Sequence, residues 1–218
     1  MNYARLSKNE RAMRAARDIP DGAYVNLGVG MPTLVSNYLP PDREIVLHSE
    51  NGILGMGPNA RPGEEDWDLI NAGKEAVTLL AGASFFHHAD SFMIIRGGHL
   101  DISVLGAYQV SVAGDLANWD TGDPQVVPAV GGAMDLAVGA KQVWVIMDLL
   151  TKEGRSKIVE TCTYPITGER CVTRVYGDLA TLDITAVGIC ASGIVDGLSH
   201  AELERLLGTR LLAPRPAG

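Results

Sequence analysis

The residue best equipped for chemistry is a glutamate at a bend. Glu50 stands in Ser49-Glu50-Asn51-Gly52, directly after the short apolar run Glu44-Ile45-Val46-Leu47-His48. That run predicts a strand. Asn51-Gly52 predicts a tight turn, because both residue types tolerate positive φ. Glu50 is thus expected where a strand ends and the chain bends. In open α/β sheets, ligands bind beyond the carboxyl ends of strands. A glutamate wedged there can face a ligand with its rotamer fixed. It can equally be a carboxylate that caps a turn, since Glu beside Asn-Gly is common in turns.

Other residues could serve the same place. Gly28-Val29-Gly30-Met31-Pro32 follows a predicted strand, Ala23 to Leu27. Pro32 suits the first turn of a helix through about Tyr38. A strand, a glycine turn and a helix start can receive an anion, although close packing of strand on helix alone selects glycine there. It is not a dinucleotide fingerprint, because Thr33 occupies the place of the third glycine. Gly131-Gly132 opens a predicted helix and offers a second set of outward backbone N–H groups. Lys74 is a lone cation beside small residues, in a place where most lysines reach solvent. His87 and His88, with Asp90 close behind, lack the spaced third ligand of a tetrahedral zinc site.

The elements that must position these groups follow in order. Ser7-Lys8-Asn9-Glu10 has capping-box spacing and predicts a helix to about Asp18. After the Glu50 turn, Gly55-Met56-Gly57-Pro58 leads into a loop with the acidic run Glu64-Glu65-Asp66, which reads as a solvated surface. Ala76 to Leu80 predicts a strand. Ile102 to Gly106 and Tyr108 to Ser111 read as paired strands around a short turn, and Gln142 to Met147 as a buried strand. Short strands are expected at Cys162 to Pro165, Cys171 to Val175 and Thr185 to Cys190. Ser199-His200-Ala201-Glu202 opens a last helix to about Leu207, and residues 212–218 read as a disordered tail. Strands alternating with helices predict one mostly parallel α/β sandwich over residues 1–218.

Composition bounds the role. At 218 residues with 46% hydrophobic content, the chain can bury a sizeable core. A net charge of −8 argues against nucleic acid, which demands a basic surface. No apolar run approaches the ~18 residues of a membrane span. Cys162, Cys171 and Cys190 form an odd set without C-x-x-C, so reduced thiols in a cytoplasmic setting are expected. The charged N-terminus carries no signal-peptide core.

Six stretches in order carry a resemblance: YVNLGVGMP (24–32), SENGILGMGP (49–58), LINAGK (69–74), RGGHLD (96–101), GDLANW (114–119) and GGAMDL (131–136). Together they closely resemble the second subunit of family I 3-oxoacid CoA-transferases, over nearly the whole chain. The resemblance implies a three-layer α/β/α sandwich and a separate A subunit, because members work as two unlike subunits or as their fusion. It implies that Glu50 is a covalent nucleophile that forms an acyl anhydride and then a glutamyl-CoA thioester, a role carboxylate chemistry suits. It places the oxyanion donor at the Gly131 backbone N–H. It lines the site with Asn26, which would orient Glu50 or substrate, and with Lys74, which would offset negative charge. Asn51 and Gly132 join them as positions that bind substrate or CoA. No metal or redox cofactor is required, and CoA is itself a substrate.

His87-His88 resembles the enzymes of this family that act on 3-oxoadipate more than those that act on acetoacetate. An imidazole could pair with the distal carboxylate of a dicarboxylic acid, or both rings could lie outside the site. The favoured substrates are succinyl-CoA and 3-oxoadipate, with acetoacetate second. Two other classes stay open: a ligand-binding or regulatory subunit on the same fold, and a sugar-phosphate isomerase, which shares the layers but not the SENG turn.

Overall fold

The computed structural model describes residues 3–125 and 127–213. Chain order gives α1 (Lys8–Asp18), β1 (Tyr24–Leu27), a 3₁₀ segment (Met31–Tyr38), β2 (Val46–Ser49), β3 (Ile53–Asn59), β4 (Val77–Phe85), α2 (His88–Arg96) and β5 (Ile102–Leu105). It continues with β6 (Gln109–Ser111), β7 (Leu116–Ala117), α3 (Ala133–Gly139), β8 (Gln142–Met147), β9 (Ile158–Val159), β10 (Val172–Gly177), β11 (Thr181–Thr185), β12 (Gly188–Ser192), α4 (His200–Leu207) and β13 (Leu211–Leu212).

Ten strands form one sheet in the order β13-β12-β11-β10-β8-β5-β1-β2-β3-β4. The central run β10-β8-β5-β1-β2 is parallel. Antiparallel hairpins extend it on both sides, β3-β4 at one end and β11-β12 at the other. The sheet is therefore parallel at its centre and mixed at its flanks.

Parallel strands buried on both faces read as continuous apolar runs, and β8 shows why. Val143, Val145 and Met147 join one core, with residues of α2, α3 and α4. Trp144 and Ile146 join the other, with Ala12, Ala15 and Ala16 of α1 and Val35 of the 3₁₀ segment. Two cores on opposite faces of one sheet make the three-layer sandwich. Both capping boxes form, at Ser7/Glu10 and Ser199/Glu202.

Several local expectations are corrected. The helix expected through Tyr38 forms over residues 31–38, wound as 3₁₀. Gly55 to Pro58, for which no element is expected, lies inside β3, and the loop follows it. Ile102–Leu105 and Gln109–Ser111 do not pair. β5 is buried along its whole length between β1 and β8, which leaves it no free edge, so β6 joins a small sheet with β7 and β9. Cys162 to Pro165 forms no strand. The strand expected over Thr185 to Cys190 forms only in part: Thr185 ends β11, residues 186–187 make the hairpin turn, and Gly188 to Cys190 begin β12, with Gly188 at φ 129°. Leu212 belongs to β13 and pairs with Cys190, so the chain is ordered past the predicted start of the tail; residues 214–218 of that tail lie outside the described residues. Among the described residues no helix is long and apolar enough to cross a membrane.

Candidate active site

Chain order and spatial order part company at β1. The chain steps from β1 to β2 on one side and later returns to place β5 on the other. Such a reversal opens a crevice beyond the strand ends. A cavity of about 640 Å³ lies there, lined by Leu27 and Gly28 at the end of β1, Leu105 and Gly106 at the end of β5, and Glu50 after β2. Gly131 and Gly132, at the start of α3, close it from above, with Asn118 and Tyr108 at its side. The Gly28 turn also lines it through Val29, Met31 and Pro32.

Glu50 is held from both sides. Ser49 Oγ accepts the Ala72 N–H at 3.0 Å, and Asn51 Nδ2 donates to the Ile70 carbonyl at 2.7 Å. The neighbours of Glu50 thus pin the loop at 70–72 over the turn. Gly52 takes φ 110°, and any Cβ there would collide with the Phe86 carbonyl. This is the one residue of the Asn51-Gly52 pair that uses positive φ. The Glu50 carboxylate meets the first turn of α3: a Cβ added to Gly132 would stand 2.6 Å from Oε2 and 3.1 Å from the Phe92 ring. Phe92 comes from α2, as do His88 and Arg96 on the same helix face. His88 packs on Phe92 at 4.9 Å between centroids, and Arg96 binds Asp135 of α3 at 2.7 Å.

This setting alters Glu50. Burial raises its pKa first; His88 works against that and Asp135 adds to it. A half-buried carboxylate, beside glycine amides and a cavity, is a candidate nucleophile on physical grounds.

The predicted site residues divide. Glu50, Gly131 and Gly132 line the cavity together. Asn51 fixes the turn through its side chain. Asn26 is 2% exposed, does not line this cavity, and spends both Nδ2 hydrogens on His48, at 3.0 Å to Nδ1 and 3.1 Å to the carbonyl. A parallel register pairs it with His48 rather than with Glu50. Lys74 is exposed and outside the lining of this cavity, in a left-handed turn at φ 64° whose N–H donates to the Asn71 carbonyl. The two histidines separate, because only His88 faces Glu50. His87 caps α2, accepting the Ala89 N–H at 3.1 Å through Nδ1.

Sequence reasoning missed His48, Ser91 and Phe92. The signal available for His48 was a histidine in an otherwise apolar strand. Ser91 and Phe92 gave none, since their role depends on how α2 crosses the strand ends.

Residues 9–191 match the family described as Coenzyme A transferase. The chain belongs to the Coenzyme A transferase family. It is 62% identical over 208 residues to the B subunit of the 3-oxoadipate CoA-transferase of Pseudomonas putida, covering 95% of this chain and 97% of that one. It is 56% identical over 212 residues to the B subunit of the 3-oxoadipate CoA-transferase of Acinetobacter baylyi, covering 97% and 98%. Among solved structures, an acyl-CoA transferase from Escherichia coli O157:H7 matches 98% of this chain and 42% of its own, with a TM-score of 0.70 and 17% identity, which speaks to the fold. The chain is a CoA-transferase, on the layered α/β fold that its motifs imply.

Proposed function

We propose that this chain is the nucleophile-bearing half of an enzyme that moves CoA from succinyl-CoA to 3-oxoadipate. The observation that carries the proposal is the half-buried Glu50 carboxylate, set against Gly132 at the mouth of the cavity. Glu50 attacks the thioester carbonyl and displaces CoA thiolate, leaving a mixed anhydride. The thiolate then attacks the glutamyl carbonyl and releases succinate, which leaves CoA on Glu50 as a thioester. The acceptor acid reverses both steps and departs as its CoA ester. Each addition builds an oxyanion, for which the Gly131 N–H is the donor in this chain; one such donor contributes about 3 kcal/mol. Neither the Gly131 nor the Gly132 N–H has a hydrogen-bond partner among the described residues.

A second, A-type subunit completes the enzyme. Both bacterial relatives are B subunits by name, which supports a partner of the other type. So does the share of the Escherichia coli chain, 42%, that this chain spans. A cytoplasmic setting fits three cysteines that form no disulfide.

The test is an intact-mass measurement of the paired subunits after succinyl-CoA is added without acceptor. A CoA adduct that maps to Glu50 is expected. No adduct, or one at another residue, overturns the reading.

The acid's identity rests on His88. It acts on the charge of Glu50 and packs on Phe92, outside the residues that line the cavity; the reading takes the distal end of an acceptor acid to extend past Phe92 to this ring. A charge-assisted hydrogen bond to that carboxylate contributes roughly 1.5–3 kcal/mol. His88→Ser should therefore lower kcat/KM for 3-oxoadipate by ~10- to 150-fold and spare acetoacetate. His87→Ala should cost about 1 kcal/mol of stability through the lost cap, with the two acids affected alike. Equal losses on both acids in the His88 variant would mean that the ring acts on Glu50 instead.

A further inference from the structure

Three polar side chains lie in the core directly beneath Glu50. His48 is 1% exposed, Asn26 2% and Ser91 0%. Buried polar groups are tolerated when each is paired, and these form one connected line. Asn26 Nδ2 carries only hydrogens, so the His48 Nδ1 facing it at 3.0 Å must accept. The ring proton is then on Nε2, which donates to Ser91 Oγ at 2.8 Å. The Ser91 hydroxyl in turn points its hydrogen at the Ser49 carbonyl, 3.4 Å away. The line runs from β1 through β2 to α2 and ends on the residue before Glu50.

We propose that His48, with Asn26 and Ser91, is the positioning device for Glu50, holding β2 and α2 in the one relation that sets the carboxylate against Gly132. This rests on the reading of Glu50 as the nucleophile. Neither His48 nor Ser91 lines the cavity, so neither is a catalytic residue. Their effect is geometric. His48 lies two positions before Glu50 and is tied to Ser91. Gly52 lies two positions after it, and its carbonyl accepts the Phe86 N–H at 3.1 Å. The His48 ring also stacks on Phe86, at 6.1 Å and 20°. Glu50 is thus bracketed by two ties to the segment 86–91, and that segment leads straight into Phe92, the ring that confines Gly132. If β2 and α2 slide apart, the nucleophile and its wall separate together. The donor order holds because the ring stays neutral: burial pushes its pKa down to about 4. A protonated ring would aim an N–H at the Asn26 amide hydrogens.

The experiment compares wild type, His48→Phe, His48→Gln and Ser91→Ala, each paired with the A-type subunit. The readouts are the single-turnover rate of adduct formation at Glu50 and the KM for succinyl-CoA. His48→Phe keeps the ring and its stack but loses both hydrogen bonds. The adduct rate should fall ~100-fold, the scale set by misplacement of a reacting group, with KM within ~3-fold of wild type. An amide, like the neutral imidazole, can accept and donate, so His48→Gln should recover to within ~10-fold of wild type. Ser91→Ala should lose ~10-fold, again in the rate and not in KM. Loss in KM alone overturns the inference, as does His48→Gln no better than His48→Phe. Should His48→Phe not fold, Ser91→Ala decides, and a wild-type rate from that folded variant overturns the inference. A wild type that forms no adduct removes the Glu50 reading itself, whereas an adduct formed at equal rates in all four proteins removes only the positioning role.

Discussion

Glu50→Gln should lose turnover by roughly 10⁴-fold or more, the scale seen when a covalent nucleophile is removed. The amide matches the carboxylate in shape and can still meet Gly132, so the fold and CoA binding should survive. Stability should change in the opposite direction to activity. Burial raises the Glu50 pKa above its ordinary 4.5, so between that value and the raised one the folded state binds more protons than the unfolded state. Stability then falls as pH rises through that window, and at neutral pH the wild type carries the full penalty of a buried charge. The variant should melt above wild type at pH 7, and the gap should narrow as pH falls toward 4.5. Adduct formation in wild type should fall over the same window on acidification, because only the ionised carboxylate attacks. Calorimetry across pH beside single-turnover rates checks both. A glutamine variant that turns over at a tenth of the wild-type rate would remove Glu50 from the chemistry.

Gly132→Ala should be nearly as damaging, for a different reason. The backbone at Gly132 has φ −86°, which alanine adopts freely. Its new Cβ would stand 2.6 Å from Glu50 Oε2 and 3.1 Å from Phe92 Cζ. Something must move, and the carboxylate is the free end. A rate loss of ~100-fold or more is expected from such a displacement. Gly131→Ala is the control: it has open space around its Cβ but φ 50°, so it should cost about 1–2 kcal/mol of stability and keep the N–H. Measured side by side, the first should lose rate with little change in melting temperature, and the second should lose melting temperature first. Wild-type rates in Gly132→Ala would show that Glu50 reacts away from the α3 turn.

Much of this site was legible because its information is local. A strand, Asn51-Gly52 and an intervening glutamate define a bend within a few residues, and Gly131-Gly132 announces the start of α3 in the same way. Both capping boxes were legible for that reason. Failures began where a residue's partner is distant in sequence. Asn26 was expected to face Glu50, but its partner is set by the β1–β2 register. Lys74 looked like a site cation, yet the Asn71–Lys74 turn leaves it exposed in a left-handed conformation. The apolar texture of Ile102 to Ser111 carried no sign that the chain changes sheets at Gly106-Ala107. That bend is secured by remote groups: Asn118 Nδ2 on the Gly106 carbonyl at 3.1 Å and Lys157 Nζ on the Ala107 carbonyl at 3.0 Å.

β4 is the last strand of the large sheet, and its outer backbone groups have no neighbour in the sheet. Its sequence, Val-Thr-Leu-Leu-Ala-Gly-Ala-Ser-Phe, contains no charge and no proline, and Leu79, Leu80 and Phe85 are exposed. Natural edges are usually blunted by lysine, proline or a covering element. Two register shifts against β3 and the positive φ of Gly82 interrupt this edge, so it offers another copy only short stretches for strand addition. The tendency of newly made chains to associate through those stretches should then rise with their concentration.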